Sequence, residues 1–170
     1  MDIEKKLHEG HSRTITLAIV EYVGNDKNKF KILMDLFLGK VPKLIQRGGW
    51  PMSLVAIAHP ELIKPYLGKL IIKLQQTDNH PSVARNILKI FEAIEIPEKY
   101  EGYLVECCFA ILVSPTNPIA SIAFAITVAT KICKKYPDLK NELRLHLEQM
   151  QTHPVAPAIK VRIKRAIKEL

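Results

Sequence analysis

Lys43, Arg47, Trp50 and Leu54 fall at i, i+4, i+7 and i+11, so a continuous helix carries them all on one side. Two cations flanking an indole can anchor an acidic peptide or a phosphate backbone, because the ring buries area while the charges pair with the anion. Arg85 and Lys89 make a second cationic pair one turn apart, with Glu92 a turn further on. The plainer alternative for the first group is that Trp50 belongs to the core and the cations are solvated. Lys160-Val161-Arg162-Ile163-Lys164-Arg165 is the densest basic segment. Lys160, Lys164 and Lys168 share one helical face, which suits either a solvated end cap or contact with acidic lipid or nucleic acid.

Other chemistry finds little support. His8 and His11 have the spacing of a helical ligand pair, but no third ligand is placed nearby, so no metal is expected. Cys107, Cys108 and Cys133 lie inside apolar helical patterns without a CxxC pair, which fits buried thiols in a reducing cytoplasm. There is no glycine-rich phosphate loop, nucleophile elbow or HExxH, and Trp50 has no carboxylate at i+3 or i+4. No catalytic residue and no cofactor are expected.

The elements that must position these residues are helices. Ile63, Tyr66, Leu67, Leu70, Ile71 and Leu74 form one apolar stripe, and Val83, Ile87, Ile90, Phe91 and Ile94 form another. Thr77-Asp78-Asn79-His80-Pro81 turns the chain between them. Upstream, residues 1–11 are a polar, frayed or short helical lead. Ser12 caps a helix over about 13–23 that ends at Gly24, and Asp26 opens another over about 27–38. Pro42 opens a helix over about 42–58 that carries Gly48, Gly49 and an interior Pro51. A kinked helix is predicted there rather than a loop, since Leu54, Val55 and Ala58 continue its stripe.

Downstream, Tyr103, Leu104, Cys107, Cys108 and Ile111 face inward on a helix over about 98–113. The next, from Pro118 to about Tyr136, is apolar or small on every side, which predicts burial between neighbours. Ser114–Pro118 interrupts the longest uncharged run, so no membrane span is expected. Pro137 starts a helix over about 138–151. In the last, which Pro154 opens, Ile159, Ile163, Ala166, Ile167 and Leu170 face in. Pro42, Pro81, Pro118 and Pro154 are 39, 37 and 36 residues apart, and each is read as opening a helix. That interval is the length of a two-helix repeat, and strand signals are absent. The fold class is all-α.

Leu62-Ile63-Lys64-Pro65-Tyr66-Leu67, then Leu70, Leu74, Asp78, Pro81, Val83 and Leu88, resemble a HEAT repeat with its proline-kinked first helix. The match spans about 35 residues; elsewhere the likeness is in period and helix pattern. This chain departs from the pattern in that Arg85 stands one place later than the usual arginine, after Ala84. The turn position of Asp78 is Gly39, Pro115 or Gln151 in the other units. Overall length and layout resemble short bacterial HEAT-like proteins. The resemblance implies a short right-handed α-solenoid of about nine helices, four pairs plus a leading helix 13–23. Its units would be 27–58, 60–95, 98–136 and 138–170 of a single domain, 1–170.

In such a stack the second helices line the inner side. Lys43, Arg47, Trp50, Arg85 and Lys89 would then form one basic ridge, while the next unit has apolar Ile122 and Ile126 in the equivalent places. Lys131, Lys134 and Lys135 come only toward that helix's end. With a net charge of +8 and a pI near 9.4, the expected role is a non-catalytic binding module for a protein with an acidic surface. The alternative is a nucleic-acid binder using the same ridge and the C-terminal cations.

Overall fold

A computed structural model describes every residue of the chain except Thr77 and Pro115. The turn former Thr77 and the turn position Pro115 thus lie outside the described residues. Among those described, the elements are eleven α-helices, one 3-10 turn and no strand. The chain divides into two compact units, Met1–Ile94 and Glu95–Leu170.

The first unit runs α1 (Ile3–Glu9), α2 (Arg13–Val23), α3 (Lys27–Leu38), α4 (Pro42–Ala58) and α5 (Pro60–Ile63). A 3-10 turn (Lys64–Tyr66), α6 (Leu67–Gln75) and α7 (Ser82–Ala93) complete it. Local chemistry sets these boundaries. Asp2 Oδ1 accepts from the Lys5 amide at 3.0 Å, Ser12 Oγ from Ile15 at 3.2 Å, and Asp26 Oδ1 from Asn28 and Lys29 at 2.8 and 3.1 Å. Each bond satisfies an amide that the first helical turn leaves without a partner. Gly24 ends α2 at φ 48°, a left-handed conformation that glycine adopts without a steric penalty.

The amino-terminal lead is therefore a real helix, with Ile3 and Leu7 buried. α4 stays helical through Pro51, and Pro65 falls in the 3-10 turn that breaks the first helix of the central hairpin. Ala58, placed on the α4 stripe by periodicity, is exposed at the helix's last residue. α4 is the hub of this unit. It packs against α1, α2, α3, α5 and α7, and its Met52, Val55 and Ala56 are sealed in with Ile19, Phe30, Leu33, Phe37, Ile87 and Phe91.

The second unit contains α8 (Glu98–Val113), α9 (Ile119–Cys133), α10 (Pro137–Gln151) and α11 (Pro157–Glu169). α9 is its hub, packed by α8, α10 and α11, which is what a helix apolar on every side requires. Three details depart from the sequence reading. Tyr103 is 59% exposed, because the buried face of α8 turns through Leu104, Val105, Cys107, Cys108 and Leu112, about 100° away per residue step. α9 ends at Cys133 rather than near Tyr136. α11 is opened by Pro157, not Pro154, so the fourth proline of the series sits in the preceding loop.

A second periodic device accompanies the prolines. Asn79 Nδ2 donates to the carbonyls of Lys73 and Gln76 at 2.5 and 3.0 Å, and Asn117 Nδ2 donates to those of Ile111 and Ser114 at 3.1 and 3.5 Å. In both cases the amide reaches back six and three residues and closes the C-terminus of the helix before it.

Candidate functional site

The packing of α4 on α7 brings the predicted cations onto neighbouring helices. Close approach is possible because Gly49 has no side chain: a Cβ there would lie 2.7 Å from Asn86 Nδ2 and 3.2 Å from Phe37 Cε2. Asn86 is 3% exposed, and its Nδ2 has no hydrogen-bond partner among the described residues. Trp50, next to Gly49, is half-buried, as are Arg47, Arg85 and Lys89; Lys43 is exposed.

Arg47 does more than present charge. Its Nη1 donates to the carbonyls of Leu7 and His8 at 2.9 and 3.1 Å, closing the C-terminus of α1. A cation there also opposes the negative end of the helix dipole. Trp50 faces His11, with ring centroids 5.8 Å apart and planes at 56°. The His11 pKa lies below its ordinary 6.5: partial burial is the largest cause, followed by the guanidinium charges of Arg47 and Arg85, with a last contribution from neighbouring His80. The structure therefore gathers Arg47, Trp50 and Arg85 around a residue that the sequence offered only as half of a metal pair. His8, the other half, instead places Nε2 4.0 Å from Glu4 Oε1.

Among the described residues, no carboxylate forms an ion pair with Lys43, Arg47, Arg85 or Lys89. His80 is a turn residue, its Nδ1 2.8 Å from Ser82 Oγ and accepting from the Ser82 amide at 3.2 Å.

The second unit differs in character. Its Ile122 and Ile126, at the places equivalent to Arg85 and Lys89, are buried. Lys135 and Lys134 pair with Glu101 and Glu169 at 2.5 and 3.8 Å. Glu101 is the residue that sequence reasoning missed: 2% exposed, it accepts from Lys135 Nζ and, at 2.7 Å, from Tyr136 Oη. Burial pushes its pKa up, but those two hydrogen bonds and the lysine's charge outweigh burial and hold it below 4.5. Lys160, Lys164 and Lys168 are all exposed on α11.

The thiols of Cys107, Cys108 and Cys133 are free and buried. Burial, with smaller contributions from Glu106 and Glu142, raises Cys107 and Cys133 to about 11, and burial likewise raises Cys108 well above its ordinary value. Such groups are poor nucleophiles. An apolar cleft of about 680 Å³ in this unit is lined by Leu112, Ile122, Met150 and Ile159, with His146 and His153 and no fully charged side chain. Among the described residues, no helix is long and apolar enough to cross a membrane.

Helix pairs built around a hub helix, with recurrent proline and asparagine punctuation, define an all-α helical-repeat protein. More particularly, the chain belongs to the HEAT repeat family: the HEAT repeat domain model matches residues 3–170, far beyond the central hairpin on which the likeness was first legible. HEAT repeats generally act as protein-interaction scaffolds. No curated protein and no solved structure matches the chain.

Proposed function

We propose that the face formed by α4 and α7 is the binding surface of a non-catalytic, cytoplasmic scaffold, and that it receives an acidic segment of a protein partner. One observation carries this reading: Arg47 and Arg85 meet a half-buried tryptophan at His11, Lys43 and Lys89 lie on the same two helices, and among the described residues no carboxylate forms an ion pair with any of the four. Unpaired charges on neighbouring helices raise encounter rate and select an anionic partner, while tryptophan and arginine are the side chains that most often dominate binding energy. A long phosphate track would need charge on successive helices, and buried Ile122 and Ile126 do not supply it. The free, buried thiols accord with a reducing compartment.

The test is fluorescence anisotropy with a rhodamine-labelled peptide of glutamate and leucine, beside labelled duplex DNA and single-stranded RNA, at roughly 50 mM salt. The peptide should bind, and Arg85→Glu with Lys89→Glu should weaken it about tenfold or more. Arg47 is left intact because it also holds α1. Equal binding by the double variant refutes the assignment of this face. Binding of the nucleic acids without the peptide refutes the partner class.

A further inference from the structure

We infer that His11 is a further partner-binding residue of the basic face, and that docking of an acidic segment there drives a proton onto its imidazole. The inference rests on the reading of α4 and α7 as a face for acidic protein segments.

The geometry comes first. His11 sits in the link between α1 and α2, yet its ring is tilted over Trp50 of α4. The permanent charges acting on it come from two helices, Arg47 on α4 and Arg85 on α7, and His80 in the turn before α7 lies close enough to act on it too. Both guanidiniums are positive. The nearby carboxylates of α1 are engaged elsewhere, Glu9 with Lys6 at 2.5 Å and Glu4 beside His8. Arg13, opening α2, is exposed and adds no opposing charge. His11 is thus a further nitrogen donor beside the aromatic ring of the face, its pKa held below 6.5 by partial burial and by the Arg47 and Arg85 guanidiniums.

An incoming carboxylate reverses that balance. It offsets the field of Arg47 and Arg85 and offers the imidazolium a partner, so the bound state favours the protonated ring. A ligand that binds the protonated form better must, by linkage, raise the affinity for protons. Between the free and bound pKa values of His11, docking takes up a proton. Affinity therefore rises as pH falls through that window, by at most about tenfold per pH unit for one proton. Glutamate side chains stay ionised down to about pH 5.5, so the peptide's own titration does not imitate the effect.

The rhodamine-labelled glutamate–leucine peptide is titrated onto the full chain from about pH 7.5 to about pH 5.5. The wild type should tighten severalfold across this range, and His11→Asn should flatten the profile to within about twofold. His80→Gln and His8→Gln should keep most of the slope, since neither ring stacks on Trp50. Calorimetry in two buffers of different ionisation enthalpy should register proton uptake for the wild type and not for His11→Asn. Binding with a flat profile, or a slope that survives His11→Asn, overturns the inference and leaves the acidic-partner reading intact. Absence of peptide binding at every pH overturns both.

Discussion

Gly48 and Gly49 are neighbours in α4, and substituting alanine should move stability in opposite directions at the two positions. In a helix interior alanine is favoured over glycine by about 1 kcal/mol, so each substitution begins with that gain. At Gly48 a Cβ would meet Leu7 Cδ1 at 3.7 Å and Leu33 Cδ1 and Phe37 Cβ at 3.9 Å, which is ordinary contact. Gly48→Ala should therefore stabilise the first unit by about 0.5–1 kcal/mol. At Gly49 the new methyl would lie 2.7 Å from Asn86 Nδ2 and 3.2 Å from Phe37 Cε2. Asn86 and Phe37 are both buried, so either would have to yield against packed neighbours rather than into solvent. Overpacking of this kind costs about 1–3 kcal/mol, which exceeds the propensity gain at all but the lower limit.

Gly49→Ala should then lower stability by about 1 kcal/mol, a urea-midpoint shift of roughly 0.5 M. Asn86→Ala in the Gly49→Ala background should recover it, because the change removes both the clash and a buried donor with no partner. The emission of Trp50, the sole tryptophan, follows unfolding of this unit. Shifts of the same sign at Gly48 and Gly49, or no rescue by Asn86→Ala, would refute the packing of α4 on α7 from which the basic face is built.

Two further predictions concern the second unit. Glu101 titrates below 4.5 when folded, so its stabilising contribution is complete above about pH 4.5 and is lost as pH falls through the lower folded value. Protection of the α8 and α9 amides, taken relative to the intrinsic exchange rate at each pH, should fall below that point in the wild type, and Glu101→Gln should be less stable at neutral pH and less acid-sensitive. Equal acid sensitivity in the variant would count against the pairing of Glu101 with Lys135 and Tyr136. Cys107, Cys108 and Cys133 should react with a thiol-specific disulfide reagent only on unfolding, so that native protein gives nearly no fast phase; a prompt stoichiometric reaction would show them to be accessible.

Helix boundaries were legible where the determinant is local. Ser12, Asp26 and Gly24 each act within one turn of themselves, and Pro42 stands at the first turn of α4 as its missing amide proton allows. What could not be read were pairings across long sequence separations. Arg47 reaches the carbonyls of α1 some forty positions away, and Glu101 meets Lys135 and Tyr136, 34 and 35 positions on. Nothing near Glu101 marks it as buried; it is one of several acids at the start of α8. His11 joined the site for a similar reason, since only packing of the first link onto α4 reveals its place beside Trp50. A readable signal did exist in Asn79 and Asn117, which recur at the repeat interval and cap equivalent helices. Tyr103 lies one residue off the buried stripe of α8, an offset that the spacing alone does not resolve.

The hub position of α4 also bears on synthesis. α1, α2 and α3 all close onto a helix that the ribosome delivers after them, so Leu33, Met34 and Phe37 lack their final cover until Pro42–Ala58 has emerged. At about 10 residues per second, the 17 residues of α4 occupy roughly 2 s of translation. For that interval the apolar side chains of α3 stay without the cover that the folded unit gives them. A pause in translation while α4 is still inside the ribosome would lengthen that exposure, and a pause after α4 has emerged would not.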